Sequence, residues 1–417
     1  MHVYFSGIGG AGLGPLALLA LDCGYEVSGS DLHESPFIEK LESRDVRASL
    51  GNDSSKNIEL INRQTPIDWV VYTAALPDEH PELAFAAAKS IRNTKRDEFI
   101  NHVIKDKKLK LIAISGTHGK TTTSAMLVWL FHSLNIPLSY QVGTNLPWGP
   151  SAKYVEGSLY FVYEADEYDR NMLHFHPKLS IIPSLDYDHP DTYPSQEDYS
   201  DSFRKFTEQS LQTLTWQSVI DNHNLNNAAG FLEDEDISEL NLPGMHMRKN
   251  GFLASEAFES LNKDISREEI IKAINKFPGT QRRFEKIQEN LYTDYAHHPT
   301  ELAAAIQMAR EISDDVVVVY QPHHDKRQRE IFGHYADVFA QTSKVYWLPT
   351  YEPAGRNDEQ SLSPQQLIGA LSDESVAVPA EINDELKNRI TQHLQAGSLV
   401  LACSAGSLDS WLRQSFS

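Results

Sequence analysis

The stretch LKLIAISGTHGKTTT, residues 109–123, has the form of a short apolar strand followed by a glycine-rich turn and the beginning of a helix. In α/β proteins such a turn places backbone N–H groups, a lysine and a hydroxyl at one helix N-terminus, where they bind phosphates. We expect Lys120 to balance the charge of the β- and γ-phosphates and the Thr121 hydroxyl to hold Mg²⁺. Ile114 stands where the usual pattern has its first glycine, so Gly116 has to supply the backbone freedom. The stretch therefore predicts a nucleoside triphosphate site.

The rest of the chain alternates predicted strands and helices, which indicates an α/β fold with parallel, doubly wound sheets. A lysine-rich link at residues 105–110 precedes the strand of the phosphate loop, and a further α/β unit begins near Gly279. Residues 221–242 are polar and have the weakest pattern. The predicted helices are Leu13–Cys23, Pro81–Lys89, Thr121–Leu134, Thr300–Ile312 and Arg329–Ala340.

The composition of the 417 residues is that of an ordinary globular protein, with 41% hydrophobic and 23% charged residues. The formal net charge of −21 disfavours binding to nucleic acids and anionic membranes, so phosphate binding requires local cations or metal ions. No apolar run is long enough to span a membrane, and no lysine or arginine precedes Lys40, which argues against a secretory signal. Only two cysteines occur, Cys23 and Cys403, and they lie far apart, so we expect a reducing, cytoplasmic location.

A second glycine-rich loop, GIGGAG, occupies residues 7–12 and follows the first predicted strand. Its glycines fit the pattern G-x-G-x-x-G, and Asp31 follows at about the distance at which dinucleotide-binding proteins place the acid that binds ribose. The loop is compatible with a dinucleotide such as NAD, with a diphosphate or UDP group, and with close helix–strand packing without a ligand. The residues of this loop leave these three alternatives open.

Clusters of acidic side chains follow two of the predicted strands near the phosphate loop. Carboxylates at neighbouring strand ends beside such a loop are typical of a hard-cation site and favour Mg²⁺. A zinc site is disfavoured because no cysteine or close histidine pair accompanies His189. For any single member, an acidic loop end exposed to solvent is the alternative. The members are Glu164, Asp166, Glu167 and Asp169 in EADEYD, and Asp186, Asp188, His189 and Asp191 in DYDHPD.

Basic side chains and histidines are concentrated in three segments near the C-terminal end of the chain. Two of these segments follow predicted strands, where α/β sheets place ligands. Pairs of adjacent histidines with arginines nearby favour the recognition of an anion or a carboxylate. The residues are Arg282 and Arg283 in RRF, Asp294, His297 and His298 in DYAHHPTE, and His323, His324, Lys326, Arg327 and Arg329 in QPHHDKRQR.

Taken in their order along the chain, these motifs resemble those of the Mur ligases, the ATP-dependent amide ligases of peptidoglycan precursor assembly. The resemblance covers nearly the whole chain. Within the family it is greatest to the branch that joins L-alanine to UDP-N-acetylmuramate. The segments that carry it are GIGGAGLGPLA, GYEVSGSD, SGTHGKTTT, EADEYD, DYDHPDTYP, GTQRRFE, DYAHHPTE and YQPHHDKRQRE.

The resemblance implies three α/β domains, of which the first and third are Rossmann-like and the second is a shortened P-loop ATPase. The implied boundaries are 1–105 for a UDP-sugar-binding domain, 106–279 for the ATP-binding domain and 280–417 for an amino-acid-binding domain. The implied reaction begins with attack of the muramoyl carboxylate on the γ-phosphate of ATP, and the amino group of L-alanine then attacks the acyl phosphate. ATP and Mg²⁺ are the implied cofactors, and we expect a monomer or a weak homodimer.

The resemblance also assigns roles to individual residues. Lys120 would hold the γ-phosphate, while Thr121, Glu164 and His189 would coordinate Mg²⁺. His298 and Arg327 would orient the amino acid or the nascent carboxylate. The implied ATP-binding residues are Gly116, Thr117, Gly119, Lys120, Thr121, Thr122, His246, Asn250, Arg283 and Asp294, and the implied UDP-binding residues are Gly7, Gly9, Gly10, Ala11, Gly12, Ser30 and Asp31.

The chain departs from the family pattern at three places. Met247 replaces an asparagine of the motif G-x-H-N-x-x-N, and His324 replaces the arginine after QPH, which predicts a weaker grip on the amino acid. Residues 206–242 form a shorter segment than in the family, so the central sheet is expected to lack strands. The alternatives are a ligase that adds a whole tripeptide to the same sugar, an NAD-dependent oxidoreductase, and a degenerate nucleotide-binding protein.

Overall fold

The computed structural model describes residues 1–51, 54–77, 79–189, 192–232, 237–352 and 361–416, so that Asp191 lies outside the described residues. The chain divides into two compact units. The first unit comprises Met1–Asp236 and Leu253–Ile274, and the second comprises Ile237–Phe252 and Asn275–Ser417. Within the described residues, the first unit contains two β-sheets and the second contains one.

The first sheet of the first unit is built from the N-terminal residues. Its elements are β1 (His2–Ser6), α1 (Gly14–Asp22), β2 (Glu26–Asp31), α2 (Pro36–Glu42), β3 (Ala48–Leu50), α3 (Lys56–Gln64), β4 (Trp69–Tyr72), α4 (Pro81–Ala88), β5 (Arg92–Lys95) and α5 (Arg96–Asp106). The strands are parallel and lie in the order β3-β2-β1-β4-β5. The central strand β1 is buried along its whole length because its apolar residues face helices on both sides of the sheet. The loop GIGGAG therefore follows the central strand, at the carboxyl edge of the sheet.

The second sheet of the first unit has seven strands. Its elements are β6 (Lys110–Ile114), α6 (Lys120–Ser133), β7 (Ser139–Gln141), β8 (Ala152–Lys153), β9 (Tyr160–Glu164), β10 (Leu179–Ile182), α7 (Gln196–Gln209), β11 (Thr213–Trp216), α8 (Gln217–His223), β12 (Ala228–Phe231), the part of α9 (Met245–Leu261) from Leu253 onward, and α10 (Arg267–Ile274). The first half of α9 belongs to the second unit. The strand order is β12-β11-β10-β6-β9-β7-β8, and only β8 pairs antiparallel to its neighbour. β6 lies between β9 and β10, so the two acidic clusters flank the phosphate loop, as predicted.

The second unit contains a six-stranded sheet. Its elements are β13 (Glu285–Gln288), β14 (Leu291–Asp294), α11 (Pro299–Ile312), β15 (Val316–Gln321), α12 (Asp325–Ile331), β16 (Lys344–Trp347), α13 (Pro364–Ile368), β17 (Ala377–Pro379), α14 (Asp384–Ala396), β18 (Leu399–Ser404) and α15 (Leu408–Phe416). The order is β13-β14-β18-β15-β16-β17, with β13 antiparallel to β14 and the remaining pairs parallel. The core of this unit packs around β15 and β18, whose residues are buried throughout.

The predicted α/β fold with parallel-rich sheets is confirmed, and two local predictions differ from the structure. The helix predicted over Arg329–Ala340 is wrong, because α12 ends at Ile331 and a 3₁₀-helix follows at Phe332–Tyr335. Gly333 lies inside that 3₁₀-helix, and glycine disfavours a continuous α-helix. The weakly patterned residues 221–242 contain β12, an edge strand of four residues, AAGF, that lies in an otherwise polar segment and has exposed middle residues. Among the described residues, we find no helix with the length and apolar character that a membrane span requires.

Candidate active site

The phosphate loop takes its shape from two glycines with left-handed backbone angles. Gly116 has φ of +131°, and a Cβ atom there would lie 2.5 Å from the carbonyl oxygen of Ser184. Gly119 has φ of +83° and caps α6, so that Lys120, Thr121 and Thr122 form the first turn of that helix. This conformation points the helix N-terminus at the end of the central strand, which is the geometry of a phosphate site.

The ammonium group of Lys120 is held by a buried carboxylate. Its Nζ lies 2.7 Å from Glu167 Oε2 and donates to Glu167 Oε1 at 2.9 Å and to the carbonyl of Gly116 at 2.5 Å. Burial alone would lower the pKa of Lys120, but the Glu167 charge outweighs burial and raises it. The same pairing lowers the pKa of Glu167 although burial alone would raise it. The pair is therefore ionised at neutral pH.

His189 belongs to the same cluster through Glu167. Its Nε2 lies 3.4 Å from Glu167 Oε1 and 3.8 Å from Asp188 Oδ2. Burial would lower the pKa of His189, but the two carboxylates raise it. The residue has φ of +58°, a left-handed conformation that costs energy for a non-glycine residue and is frequent at functional sites. Sequence reasoning placed Glu167 in an acidic cluster expected to bind Mg²⁺, but it did not predict the pairing of Glu167 with Lys120 and His189.

The Glu164 carboxylate, at the end of β9, accepts three hydrogen bonds. Thr121 Oγ1 donates to Oε2 at 2.9 Å, while Ser124 Oγ and the Gly143 amide donate to Oε1 at 2.8 and 2.6 Å. A Cβ atom at Gly143 would lie 2.8 Å from Glu164 Oε2, so a larger residue there would displace the carboxylate from this position. Ser124 and Gly143 were missed by the sequence analysis, because neither belongs to a motif that marks a nucleotide site.

These contacts can be tested against a bound Mg²⁺ ion. Thr121 Oγ1 and Glu164 Oε2 are 2.9 Å apart, which is about the spacing of two adjacent ligands around an octahedral Mg²⁺. Among the described residues no group of three His, Cys, Asp or Glu side chains could hold a metal. The carboxylates that His189 contacts are those of Glu167 and Asp188. These contacts do not connect His189 to Thr121 and Glu164. A hydroxyl and one carboxylate fit Mg²⁺ that takes its remaining oxygens from water and phosphates.

The loop GIGGAG is organised by the residues that end β2. The amides of Gly7 and Ile8 donate to the carbonyl of Ser30 at 2.8 and 2.9 Å, and Gly9 N donates to Asp31 Oδ2 at 2.8 Å. Gly7 has φ of +92°, which glycine adopts without strain. Gly10 and Ala11 are exposed and Gly12 is half-buried in the turn that leads into α1. Asp31 therefore supports the loop backbone, which is a different task from binding a ribose hydroxyl.

A buried carboxylate that no motif indicated lies beneath this loop. Glu82, in the first turn of α4, is only 1% exposed. It accepts hydrogen bonds from Tyr4 Oη at 2.5 Å, from Ser30 Oγ at 2.8 Å and from the hydroxyl of Ser6. Glu82 thus ties the carboxyl ends of β1 and β2, from which the loop hangs, to helix α4.

In the second unit the structure brings together three of the residues assigned to ATP. Burial, followed by the charge of Arg283, lowers the pKa of His246 to about 4. Burial raises the pKa of Asp294 to about 6, although Arg283 and two backbone amides act against it. Those amides belong to Phe284 and Ala296 and donate to the carboxylate at 2.7 Å each. Asn250 is buried one turn after His246 on α9.

The residues assigned to the amino acid take part in local contacts. His298 caps α11, and its ring accepts from the amide of Thr300 at 3.3 Å. Arg327 Nη1 lies 3.2 Å from His297 Nε2. His324 Nδ1 lies 3.4 Å from Glu352 Oε2, so a carboxylate of the protein is already next to the imidazole ring. This contact does not favour a role for His324 in holding the carboxylate of an amino acid.

Family models match three successive parts of the chain. The Mur ligase family catalytic domain matches residues 2–108, the Mur ligase middle domain residues 114–257, and the glutamate ligase domain of Mur ligases residues 282–406. Together they cover most of the chain.

Individual relatives extend this likeness over the full length. The UDP-N-acetylmuramate–L-alanine ligase of Clostridium acetobutylicum is 31% identical over 97% of this chain and 95% of its own. The crystal structure of UDP-N-acetylmuramate–alanine ligase from Thermotoga maritima has a TM-score of 0.76 at 23% identity, covering 99% of this chain and 98% of that one. A murein peptide ligase from Psychrobacter arcticus has a TM-score of 0.65 at 20% identity, covering 99% and 98%. The two structures share the fold of this chain.

Proposed function

Because the chain belongs to the Mur ligase family, we propose that it joins L-alanine to UDP-N-acetylmuramate in peptidoglycan precursor synthesis, converting ATP to ADP and phosphate. Members of this family are ATP-dependent ligases of acids and amino acids, and this chain is an enzyme of that class. The two substrates are taken from the name of a relative that matches nearly the full length. ATP and UDP-sugars are cytoplasmic metabolites, so the proposal includes a cytoplasmic location.

The observation that carries this proposal is the presence of two glycine loops in one compact unit. GIGGAG leads into α1 and GTHGKTTT leads into α6, so each loop offers a helix N-terminus to an anion. A ligase of this class has to hold two phosphorylated substrates together. We assign the first loop to the UDP diphosphate and the second to the phosphates of ATP.

The proposed reaction has two steps. An oxygen of the muramoyl carboxylate forms a bond to the γ-phosphorus of ATP while the bond to the ADP oxygen breaks, which yields an acyl phosphate. The amino group of L-alanine then attacks the acyl carbon, phosphate leaves with the oxygen it received, and the amine loses a proton. Two anions meet in the first step, so the Lys120 ammonium is required to offset the charge at the transferred phosphoryl group.

Thr121 and Glu164 are the residues proposed to hold Mg²⁺, which would screen the triphosphate charge when bound. Glu167 positions Lys120, because it fixes the ammonium beside the loop. The proposal also includes His189 as a metal ligand. It assigns contacts with the amino acid to His298 and Arg327, and contacts with ATP to His246, Asn250, Arg283 and Asp294.

Phosphate release by the purified protein tests this function. With UDP-N-acetylmuramate, ATP and Mg²⁺, we expect release that depends on added L-alanine, with glycine and L-serine as weaker substrates. Release with a tripeptide but not with L-alanine would instead indicate the tripeptide ligase, which shares the sugar and the fold. The Asp31 contact with Gly9 disfavours an NAD enzyme, and NADH absorbance in the same samples tests that alternative. A protein that gives none of these signals would be a degenerate nucleotide-binding protein.

A further inference from the structure

The first glycine loop has no basic side chain of its own. The 39 residues before Lys40 contain neither lysine nor arginine, whereas the second loop carries Lys120. The N-terminus of α1 supplies a partial positive charge of about half a unit, less than the charge of a diphosphate. A full positive charge at the first loop therefore has to come from another element of the fold.

Arg96 lies at this loop. It is the first residue of α5 and follows β5, whose carboxyl end lies at the same edge of the sheet as that of β1. A Cβ atom on Gly12 would lie 3.0 Å from Arg96 Nη1. Among the described residues, and leaving out the chain neighbours of Gly12, Arg96 is the only residue within 4 Å of that Cβ position. The guanidinium therefore lies against the turn that opens α1, and the missing side chain of Gly12 gives it room.

The hydrogen bond from this guanidinium to Asp166 is a long one, and Tyr163 and Asp97 are further neighbours of the guanidinium. Arg96 Nη2 donates to Asp166 Oδ2 at 3.4 Å, longer than a strong charge-assisted hydrogen bond. The side chain is 29% exposed, so solvent and ligands can reach it. A guanidinium has five N–H donors in a planar fork that suits two phosphate oxygens at once. The contact with Asp166 holds the fork in place and leaves donors for a ligand.

We propose that Arg96 binds the diphosphate of the sugar nucleotide at the GIGGAG loop, with Asp166 as the positioning residue for its guanidinium. This assignment rests on the proposed function. It supplies the first loop with the cation that Lys120 supplies to the second. Asp166 and Glu167 are neighbours in the chain, so adjacent carboxylates hold the cations of the two anion sites.

Titration calorimetry of the full-length protein without ATP tests the assignment, with UDP-N-acetylmuramate and with UDP as ligands. We expect Arg96→Ala to weaken binding of both ligands by the same factor, about 10- to 100-fold. Arg96→Lys keeps the charge without the fork and should recover part of the loss. Unchanged affinity in Arg96→Ala would overturn the assignment. A loss for UDP-N-acetylmuramate with none for UDP would also overturn it, because the contact would then be to the carboxylate.

Two control variants separate ligand binding from a structural role. Lys95→Ala removes the adjacent cation, which pairs with Asp169 at 3.4 Å, and should leave affinity unchanged. Asp166→Asn removes the other member of the ion pair and should lower the affinity for the two ligands less than threefold. A loss of affinity as large as in Arg96→Ala would mean that only the ion pair matters, and would overturn the proposal. An ATP affinity equal to that of the wild-type protein verifies that the Arg96→Ala variant is folded. If that variant is not folded, the affinity of the Arg96→Lys variant for the two ligands decides the test. A wild-type protein that binds neither ligand would reject the proposed function itself.

Discussion

Lys120 and Glu167 show how a single residue of a recognised motif depends on one outside it. The motif predicts that Lys120 lies at the phosphate loop, and the structure places it there. The motif does not predict that Glu167, rather than Asp166 or Asp169, holds the ammonium, since that choice depends on how the chain turns after β9. Glu167 is buried and Lys120 is half-buried, and because the two are paired, a triphosphate has to compete with a carboxylate for Lys120.

The first prediction concerns Lys120→Ala. We expect the rate of ligation to fall by about 100- to 1,000-fold, the effect of removing one preorganised charge from a developing anion. Binding of UDP-N-acetylmuramate should be unchanged within a factor of about two, because this ligand is assigned to the other loop. The measurements are phosphate release and titration calorimetry. Lys110→Ala is the matched control, since Lys110 is an exposed lysine on the strand that leads to the same loop. A Lys120→Ala enzyme that keeps more than a tenth of the wild-type rate would remove the lysine from this role.

The second prediction concerns Asp294, whose pKa of about 6 lies above the ordinary value of 3.8. As the pH rises, Asp294 loses its proton at a lower pH in the unfolded chain than in the folded protein. The stability that protonated Asp294 contributes is therefore present below pH 3.8 and is lost as the pH rises through about 6. Between pH 4.5 and 7.5 this loss amounts to about 2 kcal/mol. We expect the Asp294→Asn variant not to show this loss in the free energy of unfolding, which urea unfolding at both pH values measures.

The control for this experiment is Asp314→Asn, which changes a fully exposed aspartate of the same unit. Its pH dependence should match that of the wild-type protein. If Asp294→Asn also followed the wild-type curve, the carboxylate would be ionised in the folded state at low pH, and the effect attributed to its burial would be absent.

At the scale of elements, the sequence predicted what depends on local pattern. The buried strands beside the loops are apolar runs that end in glycine or acidic residues, and the structure has them at β1, β6, β9 and β10. The predictions were wrong or incomplete where packing or position decides the outcome. One such place is the early end of α12, and another is the edge strand β12, which has only four residues and lies in an otherwise polar segment.

Glu82 gives a prediction at this scale, because it joins two strands to a helix. Glu82→Gln introduces amide donors where three hydroxyl groups now donate to a carboxylate. We expect a loss of about 1–3 kcal/mol in the free energy of unfolding, the cost of disrupting buried hydrogen bonds to a charged group. Urea unfolding measures it, and Glu79→Gln, at an exposed position beside the same helix, is the control. Equal stability of the two variants would show that Glu82 does not stabilise the carboxyl end of this sheet.

For the whole molecule, the sequence predicted the α/β fold and both glycine loops, but it did not show how the loops are connected. Two sheets form one compact unit, and Arg96 of the first reaches Asp166 of the second. Such a contact joins residues 70 positions apart and leaves no pattern in the sequence. In a chain of net charge −21, this contact and the Lys120 pair place positive charge where two anionic substrates are proposed to bind.

In the proposed reaction the muramoyl carboxylate is phosphorylated before the amide forms, and transfer of ¹⁸O from the carboxylate to phosphate tests this order. UDP-N-acetylmuramate labelled with ¹⁸O in its carboxylate is incubated with the enzyme, ATP, Mg²⁺ and L-alanine, and the released phosphate is analysed by mass spectrometry. We expect one carboxylate oxygen in each phosphate released, and we expect Lys120→Ala to release little phosphate. Phosphate that is released in step with the amide but carries no ¹⁸O would contradict the acyl-phosphate route.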